Sequence, residues 1–540
     1  MTETPDPLPG IACRVEKLDC YSGMHEASEP LVFEPEGVED LSRIFVHARS
    51  EGKRVTMRSG GHSFDAQALG DEIVVSMKRL DSIEIDPAGR EMRVGPGARW
   101  GDILARLEAI GMAPAITVTT ENATAGGTLS GDCLSRFSPA YGKEGRWIKS
   151  FDLLTPGGEL LSCPRPPDDL PPERWTREQR AFCGAIGGLG YLGAVVSITY
   201  EILSIGQDHG PIGVVTRAKK FGSFDDLAGA LVPATAATVR EQADPRDPEK
   251  VDAIYSALIP WTESSLLFTS SLTGDEKRHR QLLNRPKLLV RIPVEWLLRV
   301  PLFSRLLWRF VFRFMFSPRD TFIDDLAGYT FFMDGNARAK RVGKTLGFKM
   351  QTIQQTFVVP ADTAPKDDWG PVQEKLVKWL RTASDLFSER GLTPTLYDVL
   401  FVPADARFLL SASAELPGFA VSYAFETSNA GTLEKAKETF RELADILLTD
   451  YGGRVYLVKD VYASRETLAT MYGQNAIDFF RLKRELDPHC ILRNEFLERT
   501  FGDLMTRTYE EPPGDTGTRR FTPGAAPPAE ATPEASPPPP

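Results

Sequence analysis

No CxxC pair occurs among the six cysteines, Cys13, Cys20, Cys133, Cys163, Cys183 and Cys490. Their scatter argues against a zinc framework or a disulfide lattice, and a reducing cytoplasm is the simplest compartment. Basic charge is short as well: the chain carries a net charge of -11 at neutral pH. A nucleic-acid backbone needs a basic field, so nucleic acid is not expected as the main partner. No uninterrupted apolar stretch reaches about 18 residues, so no bilayer span is expected. The start, MTETPDPLPG, lacks the basic-then-apolar order of a secretory signal. No GxGxxG follows a first strand with an acid about 20 residues on, which argues against a Rossmann nucleotide site. No internal repeat is present.

What the sequence does have is bare backbone. Arg58-Ser59-Gly60-Gly61-His62-Ser63-Phe64-Asp65 follows the strand-like run Arg54–Met57. Glycines without Cβ atoms let backbone N–H groups approach a ligand, and successive bare N–H groups form an anion-binding concavity. One such stretch is compatible with an ordinary tight turn. A second cluster lies at Ala123–Gly131 and a third at Gly184–Gly193. Three in one unit exceed what turns need, and a long ligand with a pyrophosphate at its middle would explain them.

The chain is 540 residues long and 42% hydrophobic, enough for two or three domains. Residues 27–205 alternate helices, strands and glycine turns. The spacing of Leu41, Ile44, Phe45 and Ala48 predicts a helix stopped by Gly52, and 100–111 reads as a second helix. RVTMR, EIVVSM, EMRVGP and 193–203 read as strands, and FDLLTPGGELLSC as a hairpin about Pro156-Gly157-Gly158. In residues 206–450, strands are expected at Gln355–Val359, Thr395–Phe401, Arg407–Ala412 and Gly418–Phe425. Helices are expected at Val372–Glu389 and Thr432–Asp450. The fold class is therefore α+β, with an antiparallel sheet and a helical layer in the second domain. Residues 1–26 read as an N-terminal extension, 451–505 as a C-terminal segment, and 506–540 as a Pro-rich disordered tail.

The succession RSGGHSFD, EMRVGPGARWGDIL, TAGGTLSGDCLSRFSPAYGKEGRWIKSFDLLTPGGELL and CGAIGGLGYLGAVVSITYEI resembles the two-subdomain, PCMH-type FAD-binding domain of the vanillyl-alcohol-oxidase-type flavoproteins. GGRVYLVKD, ETLATMY and RLKRELDPHCILRNEFLERTF resemble the C-terminal segment of decaprenylphosphoryl-ribose oxidases and of alditol oxidases. The resemblance implies FAD, held by Ser59, Gly60, Gly61, His62 and Ser63 and by Thr124, Gly126, Gly127, Ser130 and Gly131, with Val195 and Asn494 as further contacts. It implies that Lys459 stands beside the flavin and that Gln354, in QTIQQTFVVP, contacts substrate. A cation there stabilises the negative charge that arrives with a hydride.

The departures from the ribose oxidases are specific. Their arginine and tyrosine in the first loop are His62 and Phe64 here. Their Asn-x-Cys corresponds to Ala420-Val421-Ser422, and their substrate-domain lysine has no counterpart. RSGGHS instead matches the berberine-bridge-type and sugar-oxidase branches, in which the histidine is bonded to the flavin. Their second attachment, a cysteine, is Thr120 here. His62 thus has three readings: covalent tether, noncovalent flavin contact, or a loop histidine bonding backbone. GGTLSGDCLSRFSPAYG also matches sterol Δ24-reductases in length.

The expected activity is oxidation of a CH–OH group of a lipid-linked sugar, polyol or similar alcohol. The alternatives are a C=C reductase on a sterol-like lipid and a redox-silent, flavin-bound lipid binder. The proton-accepting base and the electron acceptor, oxygen or a quinone-like carrier, carry no sequence signature. In 287–316, Arg305, Arg309 and Arg313 line one helix face beside Trp308, Phe310, Phe312, Phe314 and Phe316. That pattern fits a helix lying on a membrane surface or one packed on its own domain with a solvated arginine edge.

Overall fold

Ile73–Ser76 is an unbroken apolar run closed by a serine, and all four residues are buried. It is the third strand of a four-stranded sheet, after Ala12–Val15 and Leu31–Glu34 and before Val55–Arg58. Its pairings on both sides are parallel. A parallel strand covered on both faces needs such a run. Residues 7–25, 29–205, 212–240, 250–259, 262–274, 321–331, 351–361 and 369–511 are described in this computed structural model. The stripe at 287–316 and the tail from 512 lie outside them.

Helix Val38–Ser50 buries Leu41, Ile44, Phe45 and Ala48. Their spacing puts all four on one face. Gly52 then takes φ +62°, a turn that a glycine makes without strain. The sheet order of the second subdomain is Ile83–Asp86, Glu91–Val94, Ala194–Glu201, Ile148–Leu154 and Leu160–Pro164, all antiparallel. The expected hairpin is closed by Thr155 N–H to Glu159 O at 2.8 Å.

The second domain is an eight-stranded antiparallel sheet. Toward one edge run Leu396–Val402, Gly418–Thr427 and Gln351–Pro360, in that order. Helices Gly370–Glu389 and Ala430–Tyr451 lie behind it, where Phe357 meets Trp379 at 5.3 Å and Phe387 meets Tyr423 at 5.0 Å between ring centres.

Three expectations are corrected. Arg407–Ala412 is not a strand. Its backbone is satisfied locally: Ser411 N–H bonds Phe408 O, Ser413 N–H bonds Ser411 Oγ, and Asp405 N–H bonds Ser413 O. Serine and aspartate side chains compete with a ladder in this way. Phe408 is fully buried, with Phe182 6.5 Å away. Residues 506–510 belong to helix Glu495–Glu510, which buries Leu504, Met505 and Thr508. The stretch read as an N-terminal extension contributes the edge strand Ala12–Val15, which pairs antiparallel with Leu31–Glu34.

Candidate active site

The three bare stretches are stapled into one wall. Thr124 Oγ1 donates to Ser59 Oγ at 2.7 Å and accepts from Gly60 N–H at 3.2 Å, while Ser59 Oγ donates to Pro96 O at 3.0 Å. Gly187 N–H and Leu189 N–H bond Leu129 O and Ser130 O, which ties the third stretch to the second. Gly61 has φ +72°, and a Cβ there would lie 2.6 Å from Arg58 Nη2. A Cβ on Gly126 would lie 2.6 Å from Pro96 Cβ. Side chains at these points would crowd the wall, so glycine lets the loops pack this closely and leaves bare backbone along the cradle.

That wall faces a cavity of about 330 Å³ between the two domains. Ser59, Gly60, Gly61, His62, Ser63, Thr124, Gly126, Gly127, Ser130, Gly131 and Val195 line it, as do Lys459 and Gln354. So does Thr120, and Tyr21 reaches it from the N-terminal stretch, its ring 6.1 Å from that of His62. Asn494 is the exception among the expected residues. Its amide is used internally, accepting from Tyr191 Oη at 2.8 Å and Leu497 N–H at 3.2 Å, and donating to Ala66 O and Gln67 O. It caps the last helix and positions the 66–67 turn.

The C-terminal segment supplies the cation. After Arg454–Val455 joins the sheet edge beside Phe357 and Val358, the chain turns into the cavity. Tyr456 Oη donates to Gly131 O at 3.0 Å. Gln67 Nε2 holds the carbonyls of Leu457 and Lys459, each at 2.9 Å, and its buried Oε1 has no partner among the described residues. Lys459 Nζ lies 4.1 Å from the Phe64 ring centre. Burial pulls the lysine pKa below its ordinary value, against Cys133, Asp398 and Asp460, which favour its charge. Asp460 links the two expected catalytic residues: it accepts Gln354 N–H at 2.6 Å and donates its own N–H to Gln354 O at 2.9 Å.

The sheet extends Gln354 into a polar row, of which motif reading missed Thr356 and Asp398. Register sets Thr356 opposite Ser422, and Ser422 opposite Asp398. Alternation then puts Gln354, Thr356, Ser422, Asp398, Leu400 and Tyr255 on the cavity side. Thr356 and Ser422 share a hydroxyl hydrogen bond of 2.9 Å. Burial pushes the Asp398 carboxyl up to about 6, against Ser422, Lys459, Arg136 and Tyr255. The one available signal was an aspartate inside LYDVLFV, a run otherwise suited to a buried strand.

A bare-backbone cradle with hydroxyls at its rim, an unpartnered amide oxygen and a buried cation fits FAD: the cradle suits a pyrophosphate, and the cation suits an electron-accepting ring. Comparison with known proteins agrees. Residues 30–164 match the FAD binding domain family. The chain is 29% identical to cytokinin dehydrogenase 2 of Arabidopsis thaliana over 35% of its length and 34% of that protein's. It is 28% identical to (R)-6-hydroxynicotine oxidase of Paenarthrobacter nicotinovorans, over 42% and 46%. These matches span less than half of each relative. Decaprenylphosphoryl-beta-D-ribose oxidase of Mycolicibacterium smegmatis is 24% identical over 85% of this chain and 92% of its own. Residues 30–164 are thus an FAD-binding domain of the kind that FAD-linked oxidases carry, and FAD is the cofactor of this chain.

Proposed function

We propose that the protein is an FAD-dependent oxidoreductase that oxidises a CH–OH group of a hydroxyl-rich alcohol, such as a polyol, a sugar or a lipid-linked sugar. The observation that carries this reading is the convergence of Lys459 with Gln354, Thr356, Ser422 and Asp398 on the cavity that the glycine cradle walls. When bound, FAD would accept the two electrons of the substrate C–H bond as a hydride. Lys459 would hold positive charge where negative charge develops, and Gln354, Thr356 and Ser422 would orient substrate hydroxyls. A row of four hydrogen-bonding side chains would be left partly unpaired by a sterol, which favours the alcohol over the C=C reductase reading. A relative matched over most of its length is named for a decaprenylphosphoryl-linked ribose, which supports a lipid-linked sugar among the candidates.

The purified protein is expected to be yellow, with one FAD per chain. Anaerobic addition of polyols, sugar alcohols, polyprenyl-linked sugars and sterols should bleach it with members of the first three groups. Bleaching by sterols alone, or by nothing in the panel, would overturn the reading.

His62 lines the cradle, and Thr120 stands where a second attachment would need a cysteine. A single covalent bond from His62 to FAD follows as part of the proposal. After acid precipitation, flavin fluorescence should stay with the wild-type chain and leave His62→Ala. Fluorescence wholly in the wild-type supernatant would make His62 a noncovalent contact.

A further inference from the structure

Oxidising an alcohol requires a base for the hydroxyl proton, and several side chains with acid–base chemistry line the cavity: His62, Cys133, Tyr21, Tyr255, Asp398, Tyr456 and Lys459. Most are poorly suited. Burial drives the thiol of Cys133 and the hydroxyl of Tyr456 well above their ordinary values, so both stay protonated. Tyr456 Oη is moreover committed to Gly131 O and Asp132 O. Tyr255 is also pushed up by burial and keeps its proton. Lys459 serves better as a cation, and His62 lies in the cradle rather than on the sheet.

Asp398 differs in three respects. It is the one carboxylate among the described residues that line the cavity. It is 91% buried, yet its Oδ1 has no hydrogen-bond partner among the described residues. It sits in the substrate-facing row, opposite Ser422 in register and two residues from Leu400 on the same face. An ionised carboxylate only accepts hydrogen bonds, and an unmatched buried oxygen is costly unless a ligand supplies the donor.

We propose that Asp398 is the catalytic base, with Oδ1 accepting the hydrogen bond of the substrate hydroxyl and then its proton. This rests on the alcohol-oxidising reading above. The O–H bond breaks and its electron pair becomes the second bond of the new carbonyl. The C–H pair departs as hydride to FAD, and the proton resides on Asp398. The groups acting on this carboxylate are the hydroxyls of Ser422 and Tyr255 and the cations Lys459 and Arg136. Arg136 stacks on Tyr255, its guanidinium 5.5 Å from the ring centre.

The test uses the FAD-loaded full chain. With an alcohol that bleaches wild type, the anaerobic reduction rate should rise with pH through about 6, as the carboxyl ionises. Asp398→Asn keeps the shape but cannot accept the proton. It should bind FAD normally, lose that rising limb and react on the order of 100-fold or more slowly. Asp398→Glu should recover part of the rate together with the limb. Independently of turnover, infrared difference spectra should show a protonated carboxyl band that titrates near pH 6 in wild type and is missing from Asp398→Asn. If Asp398→Asn, with FAD bound, keeps the wild-type rate and limb, or the infrared band persists in it, Asp398 is not the base and the alcohol reading still stands. If no alcohol bleaches wild type, the alcohol reading falls and this assignment falls with it.

Discussion

Lys459→Ala is expected to reduce anaerobic flavin reduction about 100-fold while leaving FAD bound. One positioned charge at a developing anion is worth about 3 kcal/mol in a site that excludes water. Lys459 meets that description. Its ammonium packs over Phe64, Gln67 fixes its carbonyl, and the Asp460 exchange with Gln354 fixes the next residue. The cradle that grips the cofactor is built by residues 59–63, 124–131 and 187–190, so removing the lysine leaves it intact. Stopped-flow bleaching with a saturating alcohol checks the rate, and the absorbance of the unreduced chain checks occupancy. An unchanged rate would leave Lys459 as a buried loop cation with no part in the chemistry.

The same lysine gives the reaction an alkaline limb. Burial favours its neutral form, so it loses its proton below the ordinary lysine range. Its contribution is present at lower pH and fades as pH climbs through the lowered value. With Asp398 ionising near 6, the profile of the reduction step becomes a bell, the acid limb belonging to the carboxylate and the alkaline limb to the lysine.

The cradle was legible because its chemistry is written as local composition. Ser59-Gly60-Gly61 and Thr124-Ala125-Gly126-Gly127 declare bare backbone whatever surrounds them. The helix at Val38–Ser50 was legible for a related reason, since its apolar period survives without tertiary context. The polar row on the sheet was not. Thr356, Ser422 and Asp398 lie on three strands, and only register puts them side by side. Each alone looks like a tolerated polar residue in a strand. Arg407–Ala412 misled for the converse reason: its apolar content is real and buried, but Ser411 and Ser413 capture the backbone before a ladder can form. Asn494 carries a structural task that the resemblance did not announce, because its amide caps a helix and holds a turn.

Asp65→Ala is expected to destabilise the protein by about 3 kcal/mol and to weaken FAD retention. Asp65 ends the first loop, is fully buried, and gathers three distant segments. His25 Nε2 lies 2.8 Å away, Arg499 Nη2 2.6 Å, and Val461 N–H 3.0 Å. Burial by itself would raise its pKa, but His25 and Arg499 outweigh it and hold the carboxyl below its ordinary value. Stability from such a group is present above the ordinary carboxylate value and is lost as pH falls from there through the folded value of about 2. Removing the carboxyl leaves Arg499, its side chain only 33% exposed, without its counterion there. Phe64, under the Lys459 ammonium, loses its anchored neighbour, which is why the cofactor should loosen as well. Asp460 provides the internal control. Burial and the nearby Asp65 push its carboxyl well above the ordinary range, so its neutral form is favoured and its ionisation costs stability as pH rises. Asp460→Asn keeps an acceptor for Gln354 N–H and removes that charge, so at pH 8 it should be neutral or stabilising. Chemical denaturation of the two variants at pH 5 and pH 8, with FAD content measured alongside, separates them. Equal losses for both would mean that the carboxylates act as packing and not as a charge clamp.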